Sequence, residues 1–161
     1  MLFRILGSLL LLGLSLYGCY SFSLLEEKRV RQTEGFLLLL RYMRTRISCF
    51  RTAREDIYAS FENRALSECG FLCALRAHGF AAALERMRPQ LYLDEEELRL
   101  LSSFGEELGQ GYSEEEVILC EGAIKEMEQA MEKRRSEAPR RTRVAHSLVM
   151  TGGLALVFLL L

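Results

Sequence analysis

The sequence predicts an all-α protein: a helical bundle with two long antiparallel juxtamembrane helices, flanked by N- and C-terminal transmembrane helices. Both ends of the 161-residue chain are uncharged apolar runs. Between them, apolar residues recur at steps of three and four, the period of a helix with one buried face. Nothing in the middle alternates at period two as a half-buried strand would.

The first run, Ile5 to Leu25, carries no charged side chain. As a helix of 1.5 Å rise it reaches ~31 Å, against a hydrocarbon core of about 30 Å. Arg4 followed by Leu6 to Leu16 also has the form of a signal peptide. Leu16, Tyr17, Gly18 and Cys19 resemble a lipoprotein cleavage box with Cys19 as the acylated residue. Tyr17 is bulky where that box takes a small or β-branched residue, and the run continues through Phe22, Leu24 and Leu25. An uncleaved helix is therefore the better reading, and an outward-facing lipoprotein serving as a structural envelope component is the alternative. Val144 to Leu161 is the second uncharged run, ~27 Å as a helix, with His146 neutral or at headgroup level. The expected division is residues 1–25 as one transmembrane helix, 26–143 as a helical domain and 144–161 as the second transmembrane helix.

Orientation follows from the flanking cations, because Lys and Arg are retained on the cytoplasmic side. Lys28, Arg29, Arg31, Arg41 and Arg44 follow the first run; Lys133, Arg134, Arg135, Arg140, Arg141 and Arg143 precede the second; only Arg4 opposes them. Both termini are expected outside and the middle inside, with the basic clusters drawn to anionic headgroups.

In the middle, Phe36, Leu40, Met43, Ile47 and Phe50 form one apolar stripe, and Val117, Cys120, Ile124, Met127 and Met131 form another. A chain that leaves and re-enters one membrane face makes these helices antiparallel, and packing stripe on stripe into a membrane-rooted stalk buries both. Ser113 with Glu116, Thr52 with Glu55 and Asp94 with Glu97 have the spacing of capping boxes. Between the stripes, one helix is expected through Phe71, Leu72 and Leu75 to Gly79, and a short one from Phe80 to Met87 closed by Pro89. Another carries Leu98, Leu101, Phe104 and Leu108 and stops at Gly109 and Gly111.

Charge and motif exclude several function classes. From Glu85 to Glu132, fourteen Asp and Glu side chains face four Lys and Arg, so nucleic acid would be repelled. The five cysteines form an odd, scattered set that fits a reducing compartment better than a disulfide framework. Gly105, Gly109 and Gly111 lack the following Lys of a phosphate loop and read as caps. Cys69, Cys73 and His78 share a helical spacing but lack a fourth metal ligand, and buried thiols are the plainer reading. His78 and His146 have no Ser or Cys nucleophile beside them. The carboxylates Asp94 to Glu97 and Glu114 to Glu116 read as solvated helix N-termini. No cofactor, metal, small-molecule substrate or catalysis is expected.

Leu101 to Gly109 (LSSFGEELG), the glutamate-led helix from Ser113 to Met131, and His146 to Leu161 (HSLVMTGGLALVFLLL) together resemble the stage III sporulation protein AB family. The residues that carry the motif are Phe104, Gly105, Leu108, Gly109, Glu116, Gly152 and Gly153. Where the family often has Ser-Asp shortly after Leu-Gly, this chain has Gly111 and Tyr112. The resemblance implies a place in the cell membrane on the mother-cell side, in the channel complex that connects mother cell and forespore. It also implies a domain akin to the cytoplasmic domains of the type II secretion inner-membrane platform protein F, docking a cytoplasmic secretion-type ATPase. Glu95, Glu96, Glu106 and Glu107 are the expected partner contacts.

Overall fold

The computed structural model describes the chain over residues 2–50 and 53–160, and its side chains over 17, 18, 20, 21, 23–50, 53–136, 147 and 151. Among these residues the chain is all-helical, without a strand. It divides into two units, one of residues 28–132 and one of Met1–Glu27 with Lys133–Leu161.

Two long helices, α1 (Leu2–Thr45) and α7 (Ser113–Leu160), bracket five shorter ones. Among the described residues no helix is long and apolar enough to cross a membrane. Most of the run 5–25 and nearly all of 144–161 lie outside the described side chains. The described part of the first run exposes Tyr17, Tyr20, Leu24 and Leu25.

Within residues 28–132, α1 buries Phe36, Leu40, Met43 and Ile47 at the predicted spacing, and Leu37 and Leu39 beside them. On α7, Cys120 and Met127 are buried, while Val117, Ile124 and Met131 pack half-buried against the same core. The two helices run antiparallel here, because Arg41 pairs with Glu128 and Arg44 with Glu121. Phe50 departs from the stripe and is 65% exposed. The last turn, Arg46–Phe50, is π-helical, so an extra residue per turn carries position 50 off the face that Ile47 occupies. Its ring lies 5.4 Å from the Arg46 guanidinium, which stacks also on Tyr42.

The short helices are α2 (Arg54–Ser60), α3 (Arg64–Glu68), α4 (Phe71–His78), α5 (Phe80–Met87) and α6 (Glu95–Glu107), with a 3-10 turn at Arg88–Gln90 around Pro89. Four aromatic rings tie them to α1. Phe36 meets Phe71 at 4.7 Å, Phe71 meets Phe80 at 6.0 Å, and Phe80 meets Phe104 at 5.1 Å, each edge to face.

The caps differ from expectation in three places. Thr52 lies outside the described residues; α2 begins one residue later, with Ala53 as an N-cap that makes no side-chain bond. At α7 the Tyr112 N–H donates to Glu115 Oε2 at 3.0 Å, so Glu115 closes that end rather than Glu116. Asp94 and Glu97 do form the capping exchange, but Glu97 is 2% exposed and not solvated. It accepts from the Thr33 hydroxyl at 3.1 Å and from the Asp94 N–H at 2.8 Å.

Candidate interaction surface

The fourteen carboxylates are not spread evenly over the domain. Several are engaged by cations of neighbouring helices: Asp94 by Arg29, Glu121 by Arg44, Glu128 by Arg41, and Glu95 by Arg88 at 3.8 Å. The densest remaining group forms where α6 ends and α7 begins. The turn between them is made possible by Gly109, whose φ of +93° is the left-handed conformation that a side chain resists. A Cβ there would also collide with Arg54 Nη1, so the guanidinium lies directly over the turn. Arg54 in turn stands 4.0 Å from Glu116 Oε1, bringing the start of α2 to the same corner.

This arrangement brings Glu107 to Glu115 and Glu116, with Glu106 and Glu114 next to them in the sequence. Between them is a groove of about 260 Å³ lined by Glu107, Gln110, Gly111, Glu115, Glu116 and Leu119. Gln110 reaches back to the Glu106 carbonyl at 2.6 Å, and Ser103 donates to Glu107 at 3.3 Å. Among the described residues no cation pairs with Glu106, Glu107, Glu114 or Glu115. At the turn Tyr112 is 84% exposed, and on the outer face of α7 Ile118 is 68% exposed. Behind this surface, burial pushes the Cys120 thiol and the Tyr58 hydroxyl each up to about 12, with the Glu116 carboxylate adding to both shifts.

Of the four expected contact residues, Glu106 and Glu107 lie in the corner. Glu95 and Glu96 are exposed at the opposite end of α6, ~16 Å away by helical rise. The four therefore form two separate groups. The family-motif residues have structural placements: Phe104 is buried, Leu108 is half-buried, and Gly109 makes the turn. Gly105 allows α6 to approach α5, where a Cβ would meet Phe80 Cδ1 at 2.9 Å and the Ala81 Cα at 3.2 Å. Gly152 and Gly153 lie outside the described side chains.

Cys69, Cys73 and His78 do not share one helix face. Cys69 ends α3, Gly70 turns the chain at φ +81°, and Cys73 and His78 belong to α4. Cys73 and His78 are exposed and Cys69 is half-buried, so the expectation of buried thiols fails at Cys73. Burial raises the Cys69 thiol above its ordinary range. Among the described residues no group of three or more potential ligands could hold a metal ion. Sequence reasoning missed Tyr112 and Ile118. Ile118 had a signal, being an apolar residue out of phase with Val117, Cys120 and Ile124.

The fold and this corner define a small all-α protein with an acidic, partly apolar surface. The family model for stage III sporulation protein AB matches residues 4–161, and the chain belongs to that family. Membership gives it a role in stage III of sporulation. No curated protein and no solved structure matches the chain.

Proposed function

We propose that the chain is a non-enzymatic platform in the membrane channel between mother cell and forespore, docking a cytoplasmic secretion-type ATPase through its acidic corner. The observation that carries this reading is the corner itself. An exposed tyrosine and isoleucine set among carboxylates without cation partners have the make-up of a docking hot spot, an apolar anchor within a charged rim. The rim selects a basic face on the partner and speeds its encounter.

Membrane rooting is supported by the two uncharged runs and by the basic residues that flank them on the inner side. The exposed Tyr17, Tyr20, Leu24 and Leu25 in the described part of the first run are side chains that lipid would cover. The central domain then faces the mother-cell cytoplasm.

The test is co-purification of the ATPase with the full-length, detergent-solubilised chain. Glu106→Lys combined with Glu107→Lys is expected to reduce the ATPase recovered by about tenfold or more, equivalent to ~1.4 kcal/mol of binding. The same reversal at Glu95 and Glu96 is expected to leave most of it. Full recovery with the corner reversed, or no association of the wild type with any channel component, contradicts the reading.

A further inference from the structure

The π-helical turn at Arg46–Phe50 presents a surface of opposite sign to the acidic corner. By its place in the stripe Phe50 belongs in the core, yet this turn brings its ring to the surface, 65% exposed. Isolated π-helical turns are frequent at functional sites. The Arg46 guanidinium lies against two rings, 5.1 Å from the centre of Tyr42 and 5.4 Å from that of Phe50. Its Nε donates to the Tyr42 hydroxyl at 3.0 Å, and that hydroxyl donates to Ser60 Oγ at 3.0 Å. Tyr42 in turn packs on the buried Phe61 ring at 5.4 Å, so the guanidinium is held against the body of the domain. Among the described residues no carboxylate pairs with Arg46. Its two Nη groups remain as donors in a held plane, a fork that matches a carboxylate and loses little freedom on binding one.

The same domain carries the complement. The acidic corner holds Glu107 and Glu115, with Glu106 and Glu114 next to them in the sequence, and among the described residues no cation pairs with any of the four. Tyr112 is exposed at the turn that joins α6 to α7. Arg44 pairs with Glu121, so the last turns of α1 and the first turns of α7 lie toward one end of the domain. One surface offers a cation without a carboxylate beside an exposed phenyl ring; the other offers carboxylates without a cation beside an exposed phenol. Two copies related by a two-fold axis can make this contact twice, Arg46 and Phe50 of each on the corner of the other, as an isologous interface requires. We propose that the chain self-associates in this way, a second copy being the ligand of the Arg46–Phe50 surface. The inference goes beyond ATPase docking but shares the corner with it, so the two contacts exclude each other at Glu106 and Glu107.

The test uses the full-length chain in mild detergent, with its mass read by light scattering during gel filtration and its association by co-purification of two differently tagged copies. The wild type is expected to be a dimer and to co-purify. Arg46→Glu sets like charges against each other and is expected to weaken association by about tenfold or more, as is Glu106→Lys with Glu107→Lys; Phe50→Ala removes the apolar anchor, for about tenfold. Mixing the Arg46→Glu copy with the Glu106→Lys/Glu107→Lys copy restores both contacts with the charges exchanged. A mixed dimer is therefore expected where neither variant forms one alone, and its recovery shows that both are folded. A monomeric wild type, a pure charge variant that stays dimeric, or a mixture that stays apart overturns the inference. These measurements contain no ATPase, so their failure leaves the docking reading as it stands. Arg46→Glu is also expected to recover at least as much ATPase as the wild type; loss of the ATPase would make it the ligand of this surface in place of a second copy, and overturn the inference.

Discussion

The Glu97 carboxylate is held away from water by the Thr33 hydroxyl and the Asp94 N–H, joining α1 to the start of α6. Glu97→Ala removes the acceptor of both bonds and leaves a cavity, for an expected loss of ~2–4 kcal/mol, read as a lower melting temperature of the solubilised chain. Glu97→Lys, which would bury an opposite charge, is expected to be worse. The Asp94–Glu97 spacing marks Glu97 as a capping residue but not as a buried one; its burial arises because α1 covers one side of that helix terminus. Cys120 and Tyr58 make a second residue-scale prediction. Between pH 9.0 and about 12 the unfolded chain releases the Cys120 proton while burial keeps it in the folded chain, and Tyr58 does the same between pH 10.0 and about 12. The unfolded state then binds fewer protons, so stability falls as pH rises, at up to ~1.4 kcal/mol per unit for each group. Melting curves from pH 8 upward are expected to fall more steeply above pH 9 for the wild type than for Cys120→Ala.

The helices that read most clearly are those with a regular apolar stripe or explicit end signals. Phe36, Leu40, Met43 and Ile47 declare the buried face of α1, and the Gly79 and Pro89 boundaries of α5 are visible as letters. The π-helical turn at Arg46–Phe50 is not, because it changes the residues per turn without changing the composition. Nor is α3, five residues whose N-terminus depends on Asn63 accepting from the Leu66 N–H at 3.1 Å. The acidic corner was half legible: the glutamates at both ends of α6 were evident, but the approach of its C-terminal end to the start of α7 and to Arg54 depends on the tertiary fold. Gly105 belongs to this scale, since it sets how closely α6 lies on α5. Gly105→Ala is expected to cost ~1–3 kcal/mol, although alanine favours a helix, because the methyl group must displace Phe80 or the Ala81 backbone. A melting temperature equal to or above wild type would show that the two helices yield.

Across the whole molecule the sequence segregates its chemistry into apolar ends, basic flanks and an acidic middle, and membership of the stage III sporulation protein AB family gives that pattern a setting. A domain on the cytoplasmic side can meet an ATPase there; one facing outward, as a Cys19 lipoprotein would present it, cannot. Cys49 and Cys73 are native reporters of the side, because both are exposed while Cys120 is buried. Labelling with a membrane-impermeant maleimide in intact protoplasts is the most direct test. The account predicts that Cys49 and Cys73 stay unmodified until the membrane is opened and then react fully, whereas labelling of both in intact protoplasts would contradict it.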